Sequence, residues 1–124
     1  MSEFRSAIEA RDIDSVIKLL SDDVVFRSPV VHRAYRGCES AGAVIGAVAG
    51  VFEDFRYVHE FATPDGMGEA LTFRARVGDK DIDGCDFVML DDSGSVRELM
   101  VMIRPLSGLM ALTDAMRSIL EPEG

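Results

Sequence analysis

The chain has no tryptophan, two cysteines and two histidines, and it carries 13 Lys and Arg against 22 Asp and Glu. Each shortage narrows the function. A net charge of −9 argues against nucleic acid, because phosphate contacts need Lys and Arg to release counterions. Anionic membrane surfaces are disfavoured on the same ground. Cys38 and Cys85 show neither metal-type spacing nor a disulfide framework, so reduced thiols in a cytoplasmic protein are expected, with no metal and no cofactor. Long apolar runs are also missing. The longest uncharged stretch, Ser40 to Phe52, is too short to span a bilayer, and the charged opening "MSEFRSAIEARDID" does not read as a signal peptide.

What is present suits a single globular domain over residues 1–124. Hydrophobic residues make up 48% of the chain, enough at this length for one real core and too few residues for two. The first 23 residues predict two short helices, with Phe4, Ala7 and Ile8 on the first and Ile13, Val16, Ile17 and Leu20 on the second. Asp12 is the expected N-cap between them. "VVFRS" is a short strand stopped by Pro29. A third helix is predicted over Ser40 to Asp54, with Val44, Ile45, Val48, Val51, Phe52 and Phe55 in one stripe. Gly42, Gly46 and Gly50 fall on its other side, which reads as permissive surface. Strands follow at "RYVHEFAT", "EALTFRARV", "KDIDGCDFVML" and "SVRELMVMIR", separated by turn residues. Ser107 then opens a C-terminal helix with Leu109, Met110, Leu112, Met116 and Leu120 as its apolar residues. The order predicts an α+β domain with an antiparallel sheet.

One acid breaks the pattern. Asp86 sits inside "DGCDFVML", where an unpartnered carboxylate would be costly. If Gly78-Asp79 is a two-residue loop, Arg76 faces Asp81 and Arg74 faces Asp83, so those four charges share one face. Leu71, Phe73, Ala75, Ile82, Gly84 and Asp86 then share the other. This register turns Asp86 to the apolar side. Cys85, Phe87 and Met89 turn outward, where an apolar patch implies a second protein surface and therefore a homodimer through the sheet.

The helical pair with "ARDIDSVIKLLSDDVVF", the Ser28-Pro29 dipeptide, "YRG" before the third helix and "CDFVMLDDSGSV" together resemble nuclear transport factor 2-like domains. That group includes ketosteroid isomerase and the SnoaL-type polyketide cyclases. The resemblance covers about residues 3–105 and implies a cone with a curved sheet around a deep apolar cavity, with the helix of about 106–120 as an addition. It implies a small apolar ligand and isomerase- or cyclase-type acid–base chemistry at Asp86, where isomerases place an oxyanion-binding acid. The isomerase general base is replaced by Ser28, whose hydroxyl cannot take a proton from carbon unaided. The oxyanion tyrosine falls near Phe4, which has no hydroxyl. A non-catalytic dimeric binding or assembly module is the alternative the same fold allows.

His59 shares a strand face with Tyr57 and Phe61, and it or His32 could supply the missing base. The cavity wall is expected to draw Phe4, Phe26, Ser28, Tyr35 and Phe52 from the first half of the chain. From the sheet it draws Tyr57, Phe73, Val88, Leu99 and Val101. Arg104 at the end of the last strand could hold a carboxylate at the mouth. The C-terminal helix is expected to close the cone as a lid or to pack on a partner subunit.

Overall fold

The computed structural model describes residues 2–120. Its elements are α1 (Glu3–Glu9), α2 (Ile13–Leu19), β1 (Leu20–Arg27), β2 (Tyr35–Arg36), α3 (Cys38–Val51), β3 (Glu53–Ala62), β4 (Gly68–Val77), β5 (Lys80–Leu90), β6 (Val96–Arg104) and α4 (Leu106–Leu120). The first two helices start where a side chain accepts an otherwise unpaired amide. The Ser2 hydroxyl accepts from Arg5 N–H, and the Asp12 carboxylate accepts from Ser15 N–H at 3.2 Å.

Helix α3 stops earlier than its apolar stripe predicts. Phe52 leaves the helix with ψ of 134°, and Asp54 takes a φ of 54°, so Phe55 belongs to a strand. The cause is tertiary. Phe55 stacks with Phe52 at 5.9 Å and meets Phe73 of β4 at 4.9 Å between ring centroids, contacts a continuing helix could not make. The glycine side of α3 also differs from expectation. A Cβ on the buried Gly42 would stand 3.0 Å from Ile17 Cδ1, so α2 packs closely there, whereas Gly50 faces open space. Glycine at position 42 allows this approach despite costing a helix interior about 1 kcal/mol.

The six strands form one sheet in the order β2-β1-β6-β5-β4-β3. All pairs are antiparallel except β1 with β6, so the sheet is mixed rather than antiparallel throughout. The parallel pair arises because four strands and α3 intervene before the chain returns to lie beside β1. The β4–β5 hairpin has the predicted register, with Val77 opposite Lys80 and Arg74 opposite Asp83. Gly78 takes the positive φ of 60° that a two-residue loop requires. Arg74 pairs with Asp83 at 3.4 Å, but Arg76 turns away from Asp81 to Glu53 and Asp54 at the start of β3.

The register sorts the sheet into two faces. Inward rows run Tyr57–Phe73–Gly84–Ile103 and Leu71–Asp86–Val101 across neighbouring strands. Outward rows run His59–Thr72–Cys85–Met102 and Phe61–Ala70–Phe87–Met100. Gly84 is needed in the first row, since a Cβ there would lie 2.2 Å from Phe73 Cζ. The helices cover the inward face, and the core between them includes Val16, Val24, Leu71, Val88 and Leu112.

Helix α4 lies against the sheet at Gly108, whose missing Cβ would meet Ile82 Cγ2 at 2.3 Å. From there Leu112 and Met116 point inward and are buried, while Met110, read from the sequence as apolar contact, is exposed. The side chain of Leu120 lies outside the described residues. Among the described residues, no helix is long and apolar enough to cross a membrane.

Candidate functional site

A cavity of about 340 Å³ opens between the inward sheet face and the helices. This is near the lower end for small-molecule sites, so it suits a compact ligand. Its apolar wall comes from every layer: Phe4 of α1, Phe26 of β1, Val48 of α3, Phe73 of β4, Leu99 of β6 and Met116 of α4. Phe52 and Val101 line it as well. Polar groups are few. Asp86, Ser28, Tyr35, Thr113, Arg11 and Arg117 supply them.

Asp86 reaches this wall because the strand register puts it in the inward row, between Leu71 of β4 and Val101 of β6. The residue is 8% exposed. One carboxylate oxygen, Oδ2, accepts a hydrogen bond from the Tyr57 hydroxyl at 2.7 Å. The other has no protein partner among the described residues. It is not sealed away either, since no buried side-chain oxygen is left unpaired there, so Oδ1 opens to the cavity. Burial raises the Asp86 pKa to about 7, and the Tyr57 hydrogen bond opposes that rise. Burial and the adjacent carboxylate drive the Tyr57 phenol far above its ordinary value, so it keeps its proton and donates.

Tyr57 is itself positioned by aromatic packing and by a surface pair. Its ring meets Phe55 edge-on at 4.9 Å, and the Arg5 guanidinium lies over it, 5.5 Å from its centroid. Arg5 is in turn held by Glu60 of β3 at 3.1 Å. Thus α1 is fastened to β3 directly over the residue that orients Asp86.

Ser28 is oriented too. Its hydroxyl oxygen accepts from the backbone N–H groups of Val30 and Val31 at 3.2 and 3.3 Å. Both lone pairs are thereby engaged, which leaves Ser28 as a donor at the cavity wall.

Several expected groups lie elsewhere. Tyr57 and Val88 are buried beside the cavity without lining it. His59 does not face inward with Tyr57, because the pairing slips between them: Tyr57 opposes Phe73 while His59 opposes Thr72. The extra residue, Val58, forms a bulge that puts His59 on the outer face. His32 is exposed in the segment between β1 and β2. Neither histidine lines the cavity that Asp86 faces. Arg104 also faces outward, bonded to Asp83 at 2.7 Å, and is not at the mouth. Among the described residues, no three His, Cys, Asp or Glu side chains converge as metal ligands.

Other wall residues escaped sequence reasoning. Phe55 was hidden by its place in an apparent helical stripe, and Leu112 and Met116 by uncertainty over what α4 covers. Arg11 and Arg117 carry no sequence signal, since a single arginine in a charged turn or helix end is ordinary.

Three comparisons bear on kinship. A family model described as a SnoaL-like domain matches residues 1–99. A crystal structure of a steroid delta-isomerase from Pseudomonas aeruginosa is 39% identical, with 97% of this chain and 88% of that one covered and a TM-score of 0.92. An uncharacterized protein with a cystatin-like fold from Silicibacter pomeroyi DSS-3 is 30% identical, with 97% and 84% covered and a TM-score of 0.90. An epoxide hydrolase/cyclase-like enzyme, SalBIII, shares the fold alone, at 14% identity over 86% of this chain and 88% of that one, with a TM-score of 0.69. No curated protein matches the chain. The sheet order, the cone with its inward acid and the match over most of the chain lead to one conclusion: the protein belongs to the SnoaL-like domain family, within the nuclear transport factor 2-like superfamily.

Proposed function

We propose that the cavity binds a small, mainly apolar molecule carrying a carbonyl oxygen, and that Asp86 acts on it as a single acid–base group of isomerase or cyclase type. The observation that carries this reading is the free oxygen of Asp86 opening into an apolar cavity while Tyr57 holds the other. A carboxyl with a pKa of about 7 exists in both protonation states at neutral pH. As carboxylate it can take a proton from the carbon next to a carbonyl, giving an enolate. As acid it can return that proton to another carbon of the conjugated system, so one group completes an isomerisation with no net change in protons. Ser28 and Tyr35 are the neutral hydroxyls on the same wall available to the ligand oxygen. The likeness to a steroid delta-isomerase supports this chemical class.

The test is turnover of a β,γ-unsaturated ketosteroid, followed by the absorbance of the conjugated enone. Turnover that Asp86→Asn abolishes would support the reading. Turnover unaffected by that change would overturn it.

A second reading, binding without chemistry, is favoured by one observation: Asp86 is the only acid lining the cavity among the described residues, and no histidine joins it. Tight binding of a neutral apolar probe with no turnover of any enone would select it. Under either reading we propose a homodimer through the outward face of the sheet, where Phe61 and Met102 are 60% and 53% exposed.

A further inference from the structure

The wall of the cavity contains three exposed residues, Arg11, Val31 and Arg117, which mark where it meets solvent. Two of the three are guanidinium groups, and among the described residues no carboxylate lines the cavity at this rim. They come from unrelated parts of the chain. Arg11 occupies the α1–α2 turn at a φ of 56°, a conformation fixed by its amide donating to Ile8 O at 3.0 Å and by Asp12 N–H donating to Ala7 O at 3.1 Å. Arg117 stands in the last turn of α4, next to the buried Met116. Arg5, Arg27, Arg74, Arg76 and Arg104 each pair with a carboxylate. Arg11 and Arg117, like Arg33, Arg36, Arg56 and Arg97, form no ion pair among the described residues, but they are the two that line the cavity. In a chain of net charge −9, a rim whose described charged lining residues are both cations is a local reversal of sign.

Resting on the cavity reading above, we infer that the ligand is an amphipathic anion. Its compact apolar body fills the cone, and its carboxylate or other oxyanion group stays at the mouth on Arg11 and Arg117. The orientation follows from the charges. An anionic group sent inward would be desolvated among Phe26, Phe73 and Leu99 and would approach Asp86. Held outward, it keeps water and gains charge-assisted hydrogen bonds from guanidinium forks shaped to receive an oxyanion. The acidic field of the whole protein repels anions, so cations at the entrance decide whether one is admitted. The carbonyl end then points inward, toward the free oxygen of Asp86.

Arginine stems can also cover an apolar rim merely by packing, and the test separates the two roles. Binding of the fluorescent anion 8-anilinonaphthalene-1-sulfonate is compared with that of neutral N-phenyl-1-naphthylamine, which has the same aromatic body. Decanoate and 1-decanol compete against them, to distinguish a carboxylate from a sulfonate. The unaltered protein should prefer the anion of each pair. Arg11→Met with Arg117→Met should weaken the anions about tenfold, as loss of charge-assisted bonds implies, and leave the neutral probes unchanged. The single change Arg117→Met should give an intermediate loss, and raised salt should weaken only the anions. Equal weakening of both probes, or equal affinity for both in the unaltered protein, would overturn the inference. Failure of every probe to bind the unaltered protein would overturn the cavity reading itself, and this inference with it.

Discussion

The Tyr57 hydroxyl donates to Asp86 Oδ2 across 2.7 Å, spanning from β3 to β5 over the intervening strand β4. The bond fixes which carboxylate oxygen is spent on the protein and which is left for a ligand. It also restrains a pKa that burial alone would carry higher.

The raised pKa of Asp86 has a signed consequence for stability. Below about pH 4 the carboxyl is protonated in both folded and unfolded chains, and it costs nothing. As pH rises above the unfolded value, the unfolded state releases its proton first, and the folded state loses stability until its own pKa near 7 is passed. Asp86→Asn removes this loss. The variant should gain on the parent through that window by roughly 3–5 kcal/mol and run parallel above it. Urea unfolding of both proteins at a series of pH values checks this, and a constant difference would refute it.

Removing the Tyr57 hydroxyl should act on the same titration from the other side. Tyr57→Phe keeps the ring against Phe55 and Phe73 but deletes the one hydrogen bond that, among the described residues, favours the carboxylate. The Asp86 pKa should rise further, and any pH-rate profile should move with it. An unmoved profile would show that Tyr57 does not act through Asp86.

The register that exposed Asp86 was legible because charge sorting on β4 and β5 admits only one clean alignment. Arg74 opposite Asp83 confirmed that alignment even though Arg76 chose other partners. The position of His59 was not legible. A bulge at Val58 leaves no mark on the sequence alternation, and only pairing with Thr72 shows that the face has changed. Phe55 failed for a related reason: 100° spacing continued past Phe52, while contacts with Phe73 had already drawn the chain into the sheet. The Tyr57–Asp86 bond joins strands two places apart, a distance that no local pattern encodes.

Gly84 provides a packing test. A methyl group there would overlap the Phe73 ring, a wall of the cavity. Gly84→Ala should cost about 1–3 kcal/mol by overpacking and weaken binding of a neutral apolar probe. Denaturant unfolding and probe titration measure the two effects, and wild-type values for both would mean the ring has room to move.

Helix α4 forms part of the cavity wall through Leu112 and Met116. Leu112→Ala should lower stability by about 2–5 kcal/mol, because its fully buried side chain leaves a void. Deleting residues after Arg104 should raise binding of a neutral apolar dye by opening the cone. Unchanged dye binding would mean that α4 does not close it.

The proposed dimer predicts that Phe87→Glu, which puts a charge into the outward apolar rows, shifts the protein to monomer. Sedimentation at micromolar concentration decides this. A parent protein that already sediments as a monomer would contradict the proposal.

The account turns on Asp86 as a poised carboxyl, and the direct measurement is an NMR titration of its side-chain carbonyl carbon, assigned by comparison with Asp86→Asn. The account predicts an apparent pKa of about 7 in the unaltered protein. A value at or below that of an ordinary aspartate would contradict it.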